Sequence, residues 1–219
     1  MNRIIGSQRY LLLITLLWVT ASPLVAQLQS EWTDKAYYYL EQDSLAQAEA
    51  CFTEAIKAAP ASEQTSMLYN NLGTIQRRRG KIHEAIQSYT QALELIPLSI
   101  PIMIERATAY MALGNDDKAY TDLCNILDQD ASHTEALCYR AFIYTNRREY
   151  TSARADYKRL LAIAPFHEHG LLGLALLDQR EGRLQAAEQQ LSQLIDRHPD
   201  NATYWQARAN VLTEQKLYD

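Results

Sequence analysis

The chain has 219 residues, of which 47% are hydrophobic and 21% charged, and its formal net charge is −5. This composition is that of a folded protein rather than a disordered chain, and the acidic balance argues against general nucleic-acid binding, which takes a surplus of Lys and Arg to displace counterions from phosphate. Cys51, Cys124 and Cys138 are odd in number, so at least one thiol stays unpaired.

Arg3 and Arg9 are the only charged residues before Glu31, and between them and Ala26 runs an apolar stretch strongest from Leu11 to Val19. A basic start, an apolar run and a small residue at the end predict an export signal over residues 1–26, cut after Ala26. The competing reading is an uncleaved membrane anchor, for which the apolar run is short and interrupted by Pro23. No Cys stands near the cut, which argues against lipid attachment.

Beyond the leader, small residues return on a 34-residue beat. Ala36, Gly73, Ala107, Ala141, Ala175 and Ala209 form one series, and Ala48, Ala85, Ala119, Ala153 and Ala187 form a second, with a first step of 37 in both. Each unit reads as two helices. In the third unit the first helix is predicted from about Ile100 to Leu113 and the second from about Asp116 to Leu127, broken by Gly114-Asn115. Asp43-Ser44, Gly80-Lys81 and Gly182-Arg183 mark the same turn elsewhere, and Arg148-Glu149 departs from it. Pro60, Pro97, Pro165 and Pro199 close the second helices, since their rings cannot continue a helix.

Trp32, Tyr69, Met103, Leu137, Leu171 and Trp205 stand four positions before the first small series. Phe52, Tyr89, Leu123, Tyr157 and Leu191 stand four positions after the second. Four residues is about one helical turn, so small and large side chains share a face. The small one lets two helix backbones approach, and the large one fills the space beside the crossing.

These residues resemble the tetratricopeptide repeat family, whose 34-residue pattern is W-x2-L-G-x2-Y, then A-x3-F, then P. Tyr69, Leu72, Gly73, Ala85, Tyr89, Ala92 and Pro97 carry it in the second unit; Trp32, Ala36, Tyr39, Ala48, Phe52, Ala55 and Pro60 carry it in the first. Ala141, Tyr144, Ala153, Tyr157 and Pro165 carry it in the fourth. The resemblance implies an all-α fold, a right-handed α-solenoid of stacked antiparallel helix pairs. Repeats are expected over 29–62, 66–99, 100–133, 134–167 and 168–201, with a partial sixth over 202–219. Gln76 and Asp178 replace the family Tyr, and Ala131 replaces the Pro. Three extra residues between Ala61 and Thr65 are expected to lengthen the first inter-repeat loop.

Arg106 and Arg140 replace the family Leu only in the repeats that carry Asp122 and Asp156 sixteen residues later. This predicts ion pairs Arg106–Asp122 and Arg140–Asp156, with snorkelling arginines as the alternative. Arg208 occupies the same position in the last unit with no residue sixteen further on, so it is expected to lack a partner. Leu212, Leu217 and Tyr218 likewise lack a following helix in the sequence. Either the chain is a clipped form of a longer one or its last helix docks on something else.

The resemblance implies a groove lined by the first helices, which takes a peptide or partner helix. Mapped here, its residues are Asn70, Asn71, Thr74, Arg77, Glu105, Thr108, Cys138, Tyr139, Phe142, His169, Leu172 and Leu176. Thr33, Pro101 and Glu105 stand where the family's clamp for a C-terminal carboxylate has basic side chains, which argues against that mode. Phe142 and Leu176 read equally as ligand surface or as packing between helices.

Other motifs carry less. Arg77-Arg78-Arg79 ends a predicted helix, where cations favour the dipole. His167-Glu168-His169 lacks a third ligand at metal spacing. Asn201-Ala202-Thr203 fits a glycosylation triplet. Cys124 and Cys138, on consecutive predicted helices, could bridge or simply pack. No nucleophile elbow, phosphate loop or zinc-protease motif occurs, and no cofactor or metal is expected. The sequence therefore predicts an exported, non-catalytic scaffold of the periplasm or cell envelope that binds protein segments and no nucleic acid. The membrane is a partner only if the leader stays uncleaved. The alternatives are the repeat portion of a longer exported enzyme and a membrane-anchored assembly factor of the envelope.

Overall fold

The computed structural model describes residues 26–58 and 62–218. The expected leader, apart from its last residue, and Pro60 lie outside the described residues. Eleven α-helices are described and no strand. In a first unit, ending at Leu113, α1 runs over 26–41, α2 over Leu45–Lys57, α3 over Glu63–Arg78, α4 over Ile82–Leu95 and α5 over Ile100–Ala112. In a second unit, beginning at Gly114, α6 runs over Asp116–Gln129, α7 over Thr134–Asn146 and α8 over Tyr150–Ile163. It continues with α9 over Glu168–Arg180, α10 over Leu184–Arg197 and α11 over Ala202–Tyr218.

Within each unit successive helices pack side by side, joined by tight turns. The turn needs one residue in the left-handed backbone region, and Gly80, Gly114 and Gly182 supply it with φ of 76°, 69° and 74°. Asp43 and Arg148 adopt the same region, with φ of 51° and 61°, so the fourth repeat departs from the turn pattern in residue type but not in shape. Pro97, Pro165 and Pro199 follow the ends of α4, α8 and α10. Where Ala131 replaces the proline, Asp130 makes the turn instead, accepting the Ser132 backbone N–H at 2.9 Å and its hydroxyl at 2.6 Å.

The helix crossings are built on the small residues. Ala48, Ala85, Ala119, Ala153 and Ala187 are all fully buried, as are Ala36, Ala107, Ala141 and Ala175. Phe52, Tyr89, Leu123, Tyr157 and Leu191 are buried beside them. A Cβ on Gly73 would come within 2.7 Å of the Tyr89 ring, so that crossing is closer than even alanine allows. Ala209 and Trp205 depart from their series: both are exposed on α11.

The three residues inserted in the second repeat extend a helix rather than a loop. Helix α3 has 16 residues, whereas α5, α7 and α9 have 13. Ser62 makes the extension possible, because its side chain accepts the Thr65 backbone N–H and caps the new first turn.

Arg140 and Asp156 form the expected pair, two parallel bonds of 2.7 and 2.9 Å between α7 and α8. The Asp156 carboxylate raises the Arg140 pKa further above its ordinary value against the effect of burial. Arg106 and Asp122 fall in different units; within its own unit Arg106 donates to the Thr90 hydroxyl. Arg208 has a partner, contrary to expectation: it turns back onto α10 and meets Glu188 at 3.5 Å. Its length lets it reach the preceding helix.

Gln76 and Asp178, read separately as departures, each bond a residue twelve positions on. Ser88 donates to Gln76 Oε1 at 2.7 Å, and Gln190 donates to Asp178 at 2.9 Å. The buried Asp178 carboxylate also meets Arg154 at 2.6 Å and Arg183 at 2.8 Å. All three thiols are free, so Cys124 and Cys138 are not bridged.

Candidate functional site

In the first unit α3 and α5 bring most of the expected groove residues into one hydrogen-bonded network. Arg77 meets Glu105 at 3.1 Å, Tyr89 donates to the same carboxylate at 3.4 Å, and the Tyr89 and Thr74 hydroxyls are 3.3 Å apart. Thr108 donates to the Glu105 carbonyl at 2.8 Å, and Asn71 donates to the Tyr37 hydroxyl at 2.8 Å. Burial pushes the Tyr89 hydroxyl pKa up, so it stays a donor. Burial opposes the charge on Arg77, but Tyr89 and Glu105 outweigh it and raise its pKa. Two buried atoms, Asn70 Oδ1 and Arg77 Nε, have no hydrogen-bond partner among the described residues.

Two tyrosines, Tyr89 of this network and Tyr37 of the separate pair with Asn71, escaped the sequence reading. Tyr89 was read as a packing residue, but its ring lies over Gly73 and its hydroxyl reaches the polar face. Tyr37 stands 37 positions before Thr74, in the register that continues through Thr108, Phe142 and Leu176, and that spacing was the available signal. Its ring meets Phe52 edge-on at 5.4 Å. A recess of about 300 Å³ opens beside it, lined in part by Ser30, Asp34, Met67 and Asn71.

In the second unit Phe142 on α7 and Leu176 on α9 are 47% and 41% exposed, which decides between surface and core in favour of surface. Leu172 is half-buried against the core around Leu171 and Leu191, and Tyr139 is half-buried, while His169 is exposed. Cys138 is buried, and its thiol pKa is pushed up to about 11 by burial and by Glu135, so it is a packing residue rather than a ligand contact. A second recess of about 850 Å³ adjoins Leu176 and is lined by Arg180, Gln185 and Glu214 among others.

The remaining motifs have structural partners. Arg77, Arg78 and Arg79 pair with Glu105, Asp43 and Glu49, so this basic run is neutralised within the fold. His167 caps α9, its Nδ1 accepting the Gly170 N–H at 3.2 Å, and Glu168 accepts from Tyr204 at 2.9 Å. Asn201 caps α11 by accepting the Thr203 N–H at 3.0 Å. Among the described residues no group of three His, Cys, Asp or Glu is placed to hold a metal, and no helix is long and apolar enough to cross a membrane.

Residues 25–97 match one tetratricopeptide repeat family model and residues 146–211 match another. A tetratricopeptide repeat protein of Parabacteroides merdae, known as a crystal structure, is 32% identical with a TM-score of 0.80, covering 87% of this chain and 74% of its own. The chain belongs to the tetratricopeptide repeat family.

Mitochondrial import receptor subunit TOM34 of Pongo abelii is 35% identical over 97 residues, which are 42% of this chain and 31% of that protein. The chain thus spans less than a third of the length of that curated relative. The first repeat domain of Spaghetti (RPAP3), bound to an HSP90 peptide, shares the fold at 24% identity and a TM-score of 0.53, covering 55% of this chain and 96% of its own.

Proposed function

We propose that this chain is an exported, non-catalytic scaffold that holds peptide or helical segments of partner proteins in the periplasm or cell envelope. The observation that carries the reading is the exposure of Phe142 and Leu176 on neighbouring first helices, next to a recess that offers polar groups. An exposed apolar pair with a polar flank suits an extended or helical polypeptide. In the first unit the network through Thr74, Arg77 and Glu105, and the separate Asn71–Tyr37 bond, present donors and acceptors on side chains already held in place, which lowers the ordering cost of binding. The basic start and apolar run of the leader support export.

The test is a double substitution, Phe142→Ser with Leu176→Ser. Because both side chains are exposed, unfolding free energy is expected to stay within about 1 kcal/mol of the parent. Partner recovery from the native host's envelope is expected to fall. Collapse of the fold with these substitutions would instead make both residues core.

A further inference from the structure

The recess between α1 and α3 has a chemical character of its own. Beside Ala26, which the expected cut removes, its lining consists of Gln29, Ser30, Thr33, Asp34 and Tyr37 from α1, with Gln64, Met67, Leu68 and Asn71 from α3. No Lys, Arg or His stands among these residues, and Asp34 is the one acid. Asp34 is exposed, and no cation pairs with it among the described residues. One wall is pre-set: the Tyr37 hydroxyl is held by Asn71 at 2.8 Å and its ring by Phe52 at 86°. The other wall is the flexible thioether of Met67, 59% exposed. A free carboxylate beside an aromatic face and a polarisable apolar side chain is complementary to a cation carried on a methylene chain.

We propose that this recess binds a Lys or Arg side chain of an extended partner polypeptide. The proposal deepens the scaffold reading and rests on it. Asp34 takes the ammonium or guanidinium, and Tyr37 and Met67 cover the methylenes. Asn71, which uses one amide hydrogen on Tyr37, keeps a second hydrogen and its carbonyl for the partner's backbone. An exposed ion pair is worth little alone, so a free amine gains too little from Asp34 to bind well. A polypeptide adds apolar contact with Met67 and with Tyr38, which is 60% exposed.

The full chain, labelled with ¹³C at its methionine methyls, is titrated by NMR with acetyl-Gly-Leu-Xaa-Leu-Gly-amide peptides in which Xaa is Lys, Arg, norleucine or Glu. The Met67 signal is expected to shift saturably with the Lys and Arg peptides, which bind about two- to fivefold tighter than the norleucine or Glu peptides. Asp34→Asn should remove that preference, and Asp34→Lys should transfer it to the Glu peptide, with the far-ultraviolet spectrum unchanged. Equal affinity of the Lys and norleucine peptides, or indifference to Asp34→Asn, overturns the basic preference and leaves the scaffold reading standing. Lysine amide binding as tightly as the Lys peptide overturns it in favour of a small-amine site. A Met67 signal that moves with no peptide overturns the recess as a site, and loss of partner recovery in the Phe142→Ser, Leu176→Ser test then shows that the scaffold reading survives separately.

Discussion

Gly173 lies under the ring of Tyr157, where a Cβ would come within 2.4 Å of Cζ and 2.5 Å of the hydroxyl oxygen. Gly173→Ala is therefore expected to cost about 1–3 kcal/mol in urea denaturation, the usual range for overpacking. Adding Tyr157→Leu should recover part of that loss, because the two changes share one contact. Arg140→Met should cost about 3 kcal/mol, since it leaves the buried Asp156 carboxylate unpaired, whereas Arg140→Met with Asp156→Leu should come close to the parent.

The Arg140 pair was legible because, among the complete repeats, Arg appears only where Asp appears sixteen residues on. The Arg77–Glu105–Tyr89 network was not, because its members come from three helices whose rotations no spacing states. The Gln76–Ser88 and Asp178–Gln190 bonds lay between: the same offset of twelve occurs in both, but it shows only when two departures are read together.

Helix ends carry the pH dependence. His133 and His167 cap α7 and α9, each accepting a backbone N–H on Nδ1 at 3.2 Å, and an imidazole can accept there only while Nδ1 is unprotonated. Burial lowers the pKa of His167, as does His169; Glu135 and Glu168 oppose them. The folded value lies below the unfolded one, so the unfolded chain binds the proton first. The cap's contribution is complete above the unfolded value of about 6.5 and is lost as pH falls through the lower folded value. His167→Asp should keep the cap through that window, because a carboxylate still accepts at pH 5. His167→Ala should lose about 1 kcal/mol at pH 7 and flatten this part of the profile; melts between pH 5 and 8 check both.

The boundaries of helices were readable from Gly, Pro and small-residue spacing. The extra turn of α3 was not, since an insertion of three residues fits a loop or nearly one helical turn equally well, and the capping of Ser62 decides it.

At the scale of the whole molecule, the 34-residue period placed the crossings, and the burial of all five second-series alanines follows from it. What a period cannot fix is chemistry that differs from repeat to repeat. The exposure of Phe142 and Leu176, and the acid-only recess at Asp34, come from side chains that the repeat leaves free to vary. Export is a second claim at this scale. The N-terminal sequence of protein purified from its host is expected to start at Gln27, and a retained Met1 would point to the anchor instead.

Binding of polypeptide at the exposed pair Phe142 and Leu176 on α7 and α9 is the central claim, and site-specific photo-crosslinking tests it most directly. A benzophenone amino acid placed singly at Phe142 or Leu176 is expected to capture the same partner, while one at Ile163 or Phe166, exposed elsewhere in the second unit, captures none of it. Equal capture from both sets, or capture from the second alone, would contradict the account.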